Sequence, residues 1–188
     1  DFAMKKRSSI PLFIFSPFFI IPFLLLEPCA AYSLQVTTSS AVRGISPEDL
    51  QRFLATPENW PKIVASSRSV AQVGSSDVAR PFGVGDQVDE VFGLPPILPL
   101  KVRWTCDRYD EATGSLEFYA PDGLAGIANE CRMKFDILTA QDGDASTVSL
   151  LMKYTPLSPL ATLAFPILSL DNALALKVLL PNTATPQR

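Results

Sequence analysis

A small set of side chains in this sequence could do chemistry: Glu90, Tyr154, Asn129 and the two thiols Cys106 and Cys131. Glu90 stands in Val88-Asp89-Glu90-Val91-Phe92, where a two-residue period puts it on the face of Val88 and Phe92. A carboxyl on a dry apolar face has a raised pKa and can act as a general acid or base. At a strand edge in water it would do neither, and the edge is the expected place for a lone acid. Tyr154 or Asn129 could share the acid–base work or hold an enolate oxygen by hydrogen bonding. The chain has no histidine, so Ser-His-Asp and Cys-His nucleophile systems lack their base. Zinc sites built on His are excluded with them, and two thiols with no CxxC cannot close a four-ligand site. Cys106 and Cys131 read as small core residues, or as a disulfide in an oxidising compartment. No metal or cofactor is expected.

Charge removes another class. Sixteen basic and nineteen acidic residues give a net charge of −3, and the only basic block is Lys5-Lys6-Arg7. Nucleic acid is therefore not an expected partner. The turn Gly83-Val84-Gly85-Asp86 lacks the spacing of a phosphate-binding loop.

The elements that must position these residues begin with two short helices. Ser46-Pro47-Glu48-Asp49 combines a capping hydroxyl, proline at the first helical position and acids in the first turn. Thr56-Pro57 ends that helix and opens a second one carrying Trp60, Ile63 and Val64, with Thr56 expected as its cap. Before them, Val36, Thr38 and Ser40 share one face of a Ser/Thr-rich first strand. From Ser67 the period is two. Val102, Trp104 and Cys106 alternate with polar residues, as do Leu116 and Phe118 around Glu117. Asn129, Cys131, Met133, Phe135 and Ile137 form the next inward row, and Val148, Leu150, Met152 and Tyr154 the last. Short turns, including Asp142-Gly143-Asp144, join these strands into an antiparallel meander with one wet face.

Residues 157–180 are strongly apolar, opened by Ser158-Pro159 and stopped by Pro181, with a break or kink expected at Pro166. Leu160, Leu163, Ile167, Leu170, Leu174 and Val178 recur at helical spacing, enough to cover a sheet face. The loop Gly93-Leu94-Pro95-Pro96-Ile97-Leu98-Pro99-Leu100 is apolar too. It reads as a cavity rim, a membrane-touching edge or a cap on one end of the core.

The first residues read as a targeting segment, 1–31. Lys5-Lys6-Arg7 precedes an uncharged run from Ile10 to Leu26, and Cys29-Ala30-Ala31 offers small residues for cleavage before Tyr32. Met4 reads as the start of translation. Pro11, Pro17 and Pro22 argue against an uncleaved spanning helix. The expected destination is the secretory pathway, outside the cell or in endomembranes. The acid-free stretch Tyr32–Ile45 resembles the second part of the two-part plastid leaders of algae, which is the alternative destination. Removing the segment leaves roughly 155 residues, one compact domain over 32–181 with a disordered tail at 182–188.

Strand, two short helices, meander and one long C-terminal helix follow the order of the START-like (SRPBCC) superfamily, which includes polyketide cyclase/dehydrase-like and lipid-transport proteins. The most specific resemblance is Ser46-Pro47-Glu48-Asp49-Leu50 running to Ala55-Thr56-Pro57-Glu58-Asn59-Trp60-Pro61. It is similar to the superfamily's opening helix pair. The resemblance implies an α+β helix-grip fold, an antiparallel sheet wrapped around a long C-terminal helix with a cavity between them. It implies a ligand-binding wall of Trp104, Cys106, Phe118, Asn129, Met133, Phe135, Leu150 and Tyr154 from the sheet. Leu163, Ile167, Leu170 and Leu174 would complete it from the helix. The expected function is non-catalytic binding or carriage of an apolar small molecule or lipid. A cyclase- or dehydratase-like enzyme using Glu90, Tyr154 or Asn129 is one alternative. A membrane-associated assembly factor, docking through the last helix and the Pro-rich loop, is the other.

Overall fold

The computed structural model describes residues 32–75, 77–93, 99–140 and 144–184. The leader, most of the Pro-rich loop, the tip of the Asp142-Gly143 turn and residues 185–188 lie outside the described residues.

Strand β1 (Leu34–Arg43) buries Thr38 and Val42 and half-buries Val36 and Ser40 along the face read from the sequence. Helix α1 (Pro47–Leu54) starts as its residues dictate. The Ser46 hydroxyl accepts from the Asp49 amide at 3.1 Å and donates to Asp49 Oδ2 at 3.0 Å, satisfying an otherwise orphaned donor. The second helix starts differently from expectation. Thr56 makes no cap; its hydroxyl donates back to the Arg52 carbonyl at 2.8 Å, and a 3₁₀ turn over Pro57–Asn59 leads into α2 (Trp60–Ile63). A threonine at a helix end can bond the carbonyl four residues back, and here that bond wins over capping.

Six further strands follow: β2 (Ser67–Gln72), β3 (Gln87–Phe92), β4 (Leu100–Asp110), β5 (Ser115–Ala120), β6 (Ala128–Thr139) and β7 (Ala145–Pro156). All seven pair antiparallel in the order β1-β7-β6-β5-β4-β3-β2. β1 thus closes on the last strand rather than on β2, with Leu34 opposite Tyr154, and α1 and α2 fill the crossing. The turn between β4 and β5 depends on Gly114, whose φ of +65° brings its backbone against the Ile137 carbonyl where a Cβ would collide. One end of the sheet is filled by an aromatic trio. Trp60, Phe82 and Phe118 have ring centroids 5.1–5.6 Å apart, and the Trp60 indole N–H donates to the Leu54 carbonyl at 2.8 Å.

The C-terminal helix lies over the other part of the concave face. It comprises α3 (Pro159–Leu174), a π turn (Ala175–Leu179) and α4 (Leu180–Ala184). It is unbroken at Pro166, which sits on its exposed side, where solvent can reach the carbonyl that the missing N–H leaves free. Nor does Pro181 stop it. The Leu180 N–H reaches back five residues to the Ala175 carbonyl, so the hydrogen-bond ladder is already shifting register where the proline falls. Helix therefore continues through residues 182–184, which the sequence pattern assigns to the tail.

Candidate functional site

Between the sheet and α3 lie two adjoining hollows of about 120 and 50 Å³. They share walls of Phe92, Trp104, Met152, Leu168 and Asp171. The larger reaches the surface between β7 and α3, where the exposed residues Lys153 and Ile167 border it.

The rows read from the strands supply most of the sheet side. Trp104, Met133, Phe135 and Leu150 line the smaller hollow, and Trp104, Cys131 and Tyr154 the larger. Cys106 and Phe118 are on the same face but outside both hollows, Phe118 being held in the aromatic trio. Both thiols are free, and burial pushes Cys106 up to about 12 and Cys131 up to about 11. Tyr154 borders the larger hollow, but its hydroxyl donates to the Ala161 carbonyl at 2.9 Å. That bond ties the first turn of α3 to β7, and burial raises the phenol's pKa. Asn129 is not in the cavity. Glu130 adopts a left-handed φ of 51° and the β6–β7 register jumps between Asn129 and Arg132. This bulge takes Asn129 out of the row that Cys131 and Met133 continue.

The helix contributes a different face from the one expected. Leu163 and Leu170 are 73% and 71% exposed and touch neither hollow. Leu174 is half-buried away from them, and Ile167 alone of the four borders the larger one. The inward face is Ala161, Ala164, Leu168, Asp171, Asn172, Ala175 and Leu176. Small alanines let the helix approach the sheet closely, and the apolar residues all around α3 left periodicity unable to choose between the two faces.

Glu90 is the largest correction. It is inside, 3% exposed, on the wall of the smaller hollow. The Trp104 indole N–H donates to its Oε2 at 2.9 Å. The Ser67 hydroxyl faces it from β2 without full hydrogen-bond geometry. Burial pushes its pKa up from 4.5 to about 7; Ser67 and Trp104 hold the rise back, and the negative charge of Asp171 adds to it. Its neighbour Asp89 faces the other way, bonded to Arg103 at 2.7 Å and to Lys101 at 2.8 Å. Chiefly through the Arg103 hydrogen bond, Asp89 is lowered to about 2. Adjacent acids thus sit at opposite ends of the carboxylate range because a strand alternates its faces.

Two polar residues that sequence reasoning missed complete the site. Asp171 accepts from the Ser66 hydroxyl at 2.5 Å, fastening α3 to the start of β2. Asn172 is 5% exposed, and its Nδ2 has no hydrogen-bond partner. An acid next to an amide in an otherwise apolar helix was the available signal. Among the described residues no cluster of His, Cys, Asp or Glu could hold a metal ion.

A seven-stranded antiparallel sheet curled around a long C-terminal helix, with short helices after the first strand, is the helix-grip fold. Solved structures share it. TTHA0849 from Thermus thermophilus superposes with a TM-score of 0.64 at 15% identity, over 80% of this chain and 97% of that one. Truncated norcoclaurine synthase from Thalictrum flavum gives 0.62 at 13% identity, over 84% and 96%. Ara h 8.0201 gives 0.52 at 16% identity, over 77% and 96%. No protein-family model and no curated protein matches the sequence. The chain has the helix-grip fold, and at these identities the likeness to those structures is one of fold.

Proposed function

We propose that this domain binds and carries an apolar small molecule or lipid in the cavity between the sheet and α3, without chemical turnover. The observation that carries the reading is the cavity itself, walled by Trp104, Met133, Phe135, Leu150, Met152 and Leu168 and open to the surface beside Ile167. Pockets of this make-up, apolar with a few placed polar groups, are the usual form of small-molecule sites. A cavity of about 150 Å³ suffices for benzene, so the two adjoining hollows taken together, and neither alone, suit one ring or the end of a chain. The superfamily fold is consistent with this use. The enzyme alternative keeps Glu90 as a buried acid near neutrality. It loses Asn129 to the bulge and the Tyr154 hydroxyl to Ala161, which leaves the acid without a cavity partner from the expected set. The test is solvent extraction and mass spectrometry of the purified protein, followed by titration with fatty acids, isoprenoids, sterols and quinones. Co-purification or saturable binding of such a molecule is expected; an empty protein that binds none of them overturns the reading.

The outer face of α3 supports a second reading, compatible with the first, in which the domain rests on a lipid bilayer. Leu160, Leu163, Ile167 and Leu170 of α3 are exposed, as are Leu157 just before it and Val178 in the π turn. The whole helix, Pro159–Ala184, is long and apolar enough to cross a membrane, but one face packs on the sheet. The chain enters the described domain on this same helix. The Tyr32 hydroxyl lies 2.8 Å from the Thr162 hydroxyl, next to Leu163, and the apolar run Ile10–Leu26 precedes it. A leader that brings the chain to a membrane, whether of the secretory route or of a plastid, would deliver it with this face at hand. Vesicle co-sedimentation of the chain from Tyr32 onward tests it. Binding that Leu163→Glu with Leu170→Glu abolishes is expected, and no binding by the parent chain contradicts it.

A further inference from the structure

We infer that the ligand this cavity selects carries a hydrogen-bond-accepting oxygen, such as a carbonyl, on an otherwise apolar body, and that the Asn172 side-chain amide recognises it. The inference rests on the reading of the cavity as a binding site and adds the chemical class of the ligand.

A buried N–H donor in a folded protein almost always has a partner, because leaving it bare in an apolar setting is costly. Asn172 breaks that rule: it is 5% exposed, lines the smaller hollow, and its Nδ2 meets no acceptor. The acids nearby are engaged elsewhere. Asp171 Oδ2 accepts from Ser66, and Glu90 Oε2 accepts from Trp104. Apart from these groups the wall around the amide is apolar, including Leu54, Trp60, Ile63, Met133, Phe135 and Leu176. A hydrocarbon entering here would leave the donor bare, whereas a carbonyl oxygen would complete it. A site built around a fixed hydrogen-bonding group discriminates strongly against an analogue lacking the complementary atom. The stretch of backbone that carries the amide is held in place by the fold. The Asp171–Ser66 bond fixes the adjacent residue to β2, and the π turn at Ala175–Leu179 locks the next part of the helix down through buried Ala175 and Leu176.

The experiment uses two probes of nearly the same shape, acetophenone and α-methylstyrene, which differ by C=O against C=CH₂. Each is titrated into the full chain by NMR at pH 6. The wild type is expected to bind acetophenone about ten-fold more tightly, the worth of one good hydrogen bond in a dry site. The Asn172 side-chain amide protons should shift with acetophenone and stay put with α-methylstyrene. In Asn172→Leu the preference should fall to about three-fold or less, with α-methylstyrene affinity kept or raised. Equal binding of the two probes by the wild type, as a water satisfying Asn172 would give, overturns the inference while leaving the cavity a binding site. So does a preference that survives in Asn172→Leu. Should neither probe bind the wild type, this inference falls, and the titration with fatty acids, isoprenoids, sterols and quinones then decides whether the cavity is a binding site at all. The wild-type comparison and the amide shifts decide the matter even if Asn172→Leu does not fold.

Discussion

Replacing Glu90 by Gln should stabilise the protein at alkaline pH and do nothing of the kind in acid. Gln keeps an oxygen for the Trp104 indole N–H, which lies 2.9 Å from Oε2, and removes only the ionisable proton. Below pH 4.5 the carboxyl is protonated in both the folded and the unfolded chain, so its burial carries no ionisation penalty. Between 4.5 and about 7 the unfolded chain releases the proton while the folded chain retains it, and stability is lost progressively as pH rises. Above about 7 the folded state ionises too and the loss levels off. At roughly 1.4 kcal/mol per pH unit the loss amounts to about 3 kcal/mol. Little solvent screening reduces it, because the side chain is almost wholly buried. For a domain of this size the corresponding change in melting temperature is roughly 6–12 °C. The assay is urea unfolding of wild type and Glu90→Gln in parallel from about pH 4 to 8.5, which cancels the titrating groups that do not couple to Glu90. A difference that opens between about pH 5 and 7 and reaches about 3 kcal/mol in favour of the variant is expected. A difference that stays flat across the range, or a wild type that is the more stable at the alkaline end, would refute the placement of this acid.

Three more outcomes follow from the same packing. Phe118→Ala removes a ring that is 1% exposed from between Trp60 and Phe82. It should cost about 3–5 kcal/mol in urea unfolding, and a loss below about 1 kcal/mol would contradict the trio. Gly114→Ala forces a side chain into a left-handed turn against the Ile137 carbonyl, and a loss of more than about 1 kcal/mol is expected by the same assay. With Cys106 up to about 12 and Cys131 up to about 11, neither forms thiolate at pH 8. Mass spectrometry after iodoacetamide treatment of the native protein should find both unmodified.

The strand rows were readable because alternation over a half-buried sheet is unambiguous, and Trp104, Met133, Phe135 and Leu150 arrive on the cavity wall as their spacing requires. The opening helix pair was readable from Ser46-Pro47 and Thr56-Pro57, although Thr56 spends its hydroxyl on Arg52 rather than on a cap. What could not be read has physical causes. A left-handed residue at Glu130 leaves no mark in composition, so Asn129 was carried along with its row. In α3 both faces are apolar, so leucine spacing pointed to the outward stripe while the alanines, Asp171 and Asn172 turned inward. Glu90 shared a face with Val88 from the start. The general rule that acids stay wet outweighed the local period, and here the Trp104 indole and burial reverse it. Glu90, Asp171 and Asn172 are polar groups placed on the wall of an otherwise apolar cavity, where local pattern is a poor guide.

Methyl NMR of the methionines offers the most direct check on the cavity as a binding site. The chain has three, and two of them are on its wall: Met133 in the smaller hollow and Met152 in both. With ¹³C-methyl methionine incorporated, titration with a small apolar ligand should shift the Met133 and Met152 signals saturably and together, at one dissociation constant. Methyl signals from these two residues that stay fixed while ligand is added to saturation would contradict it.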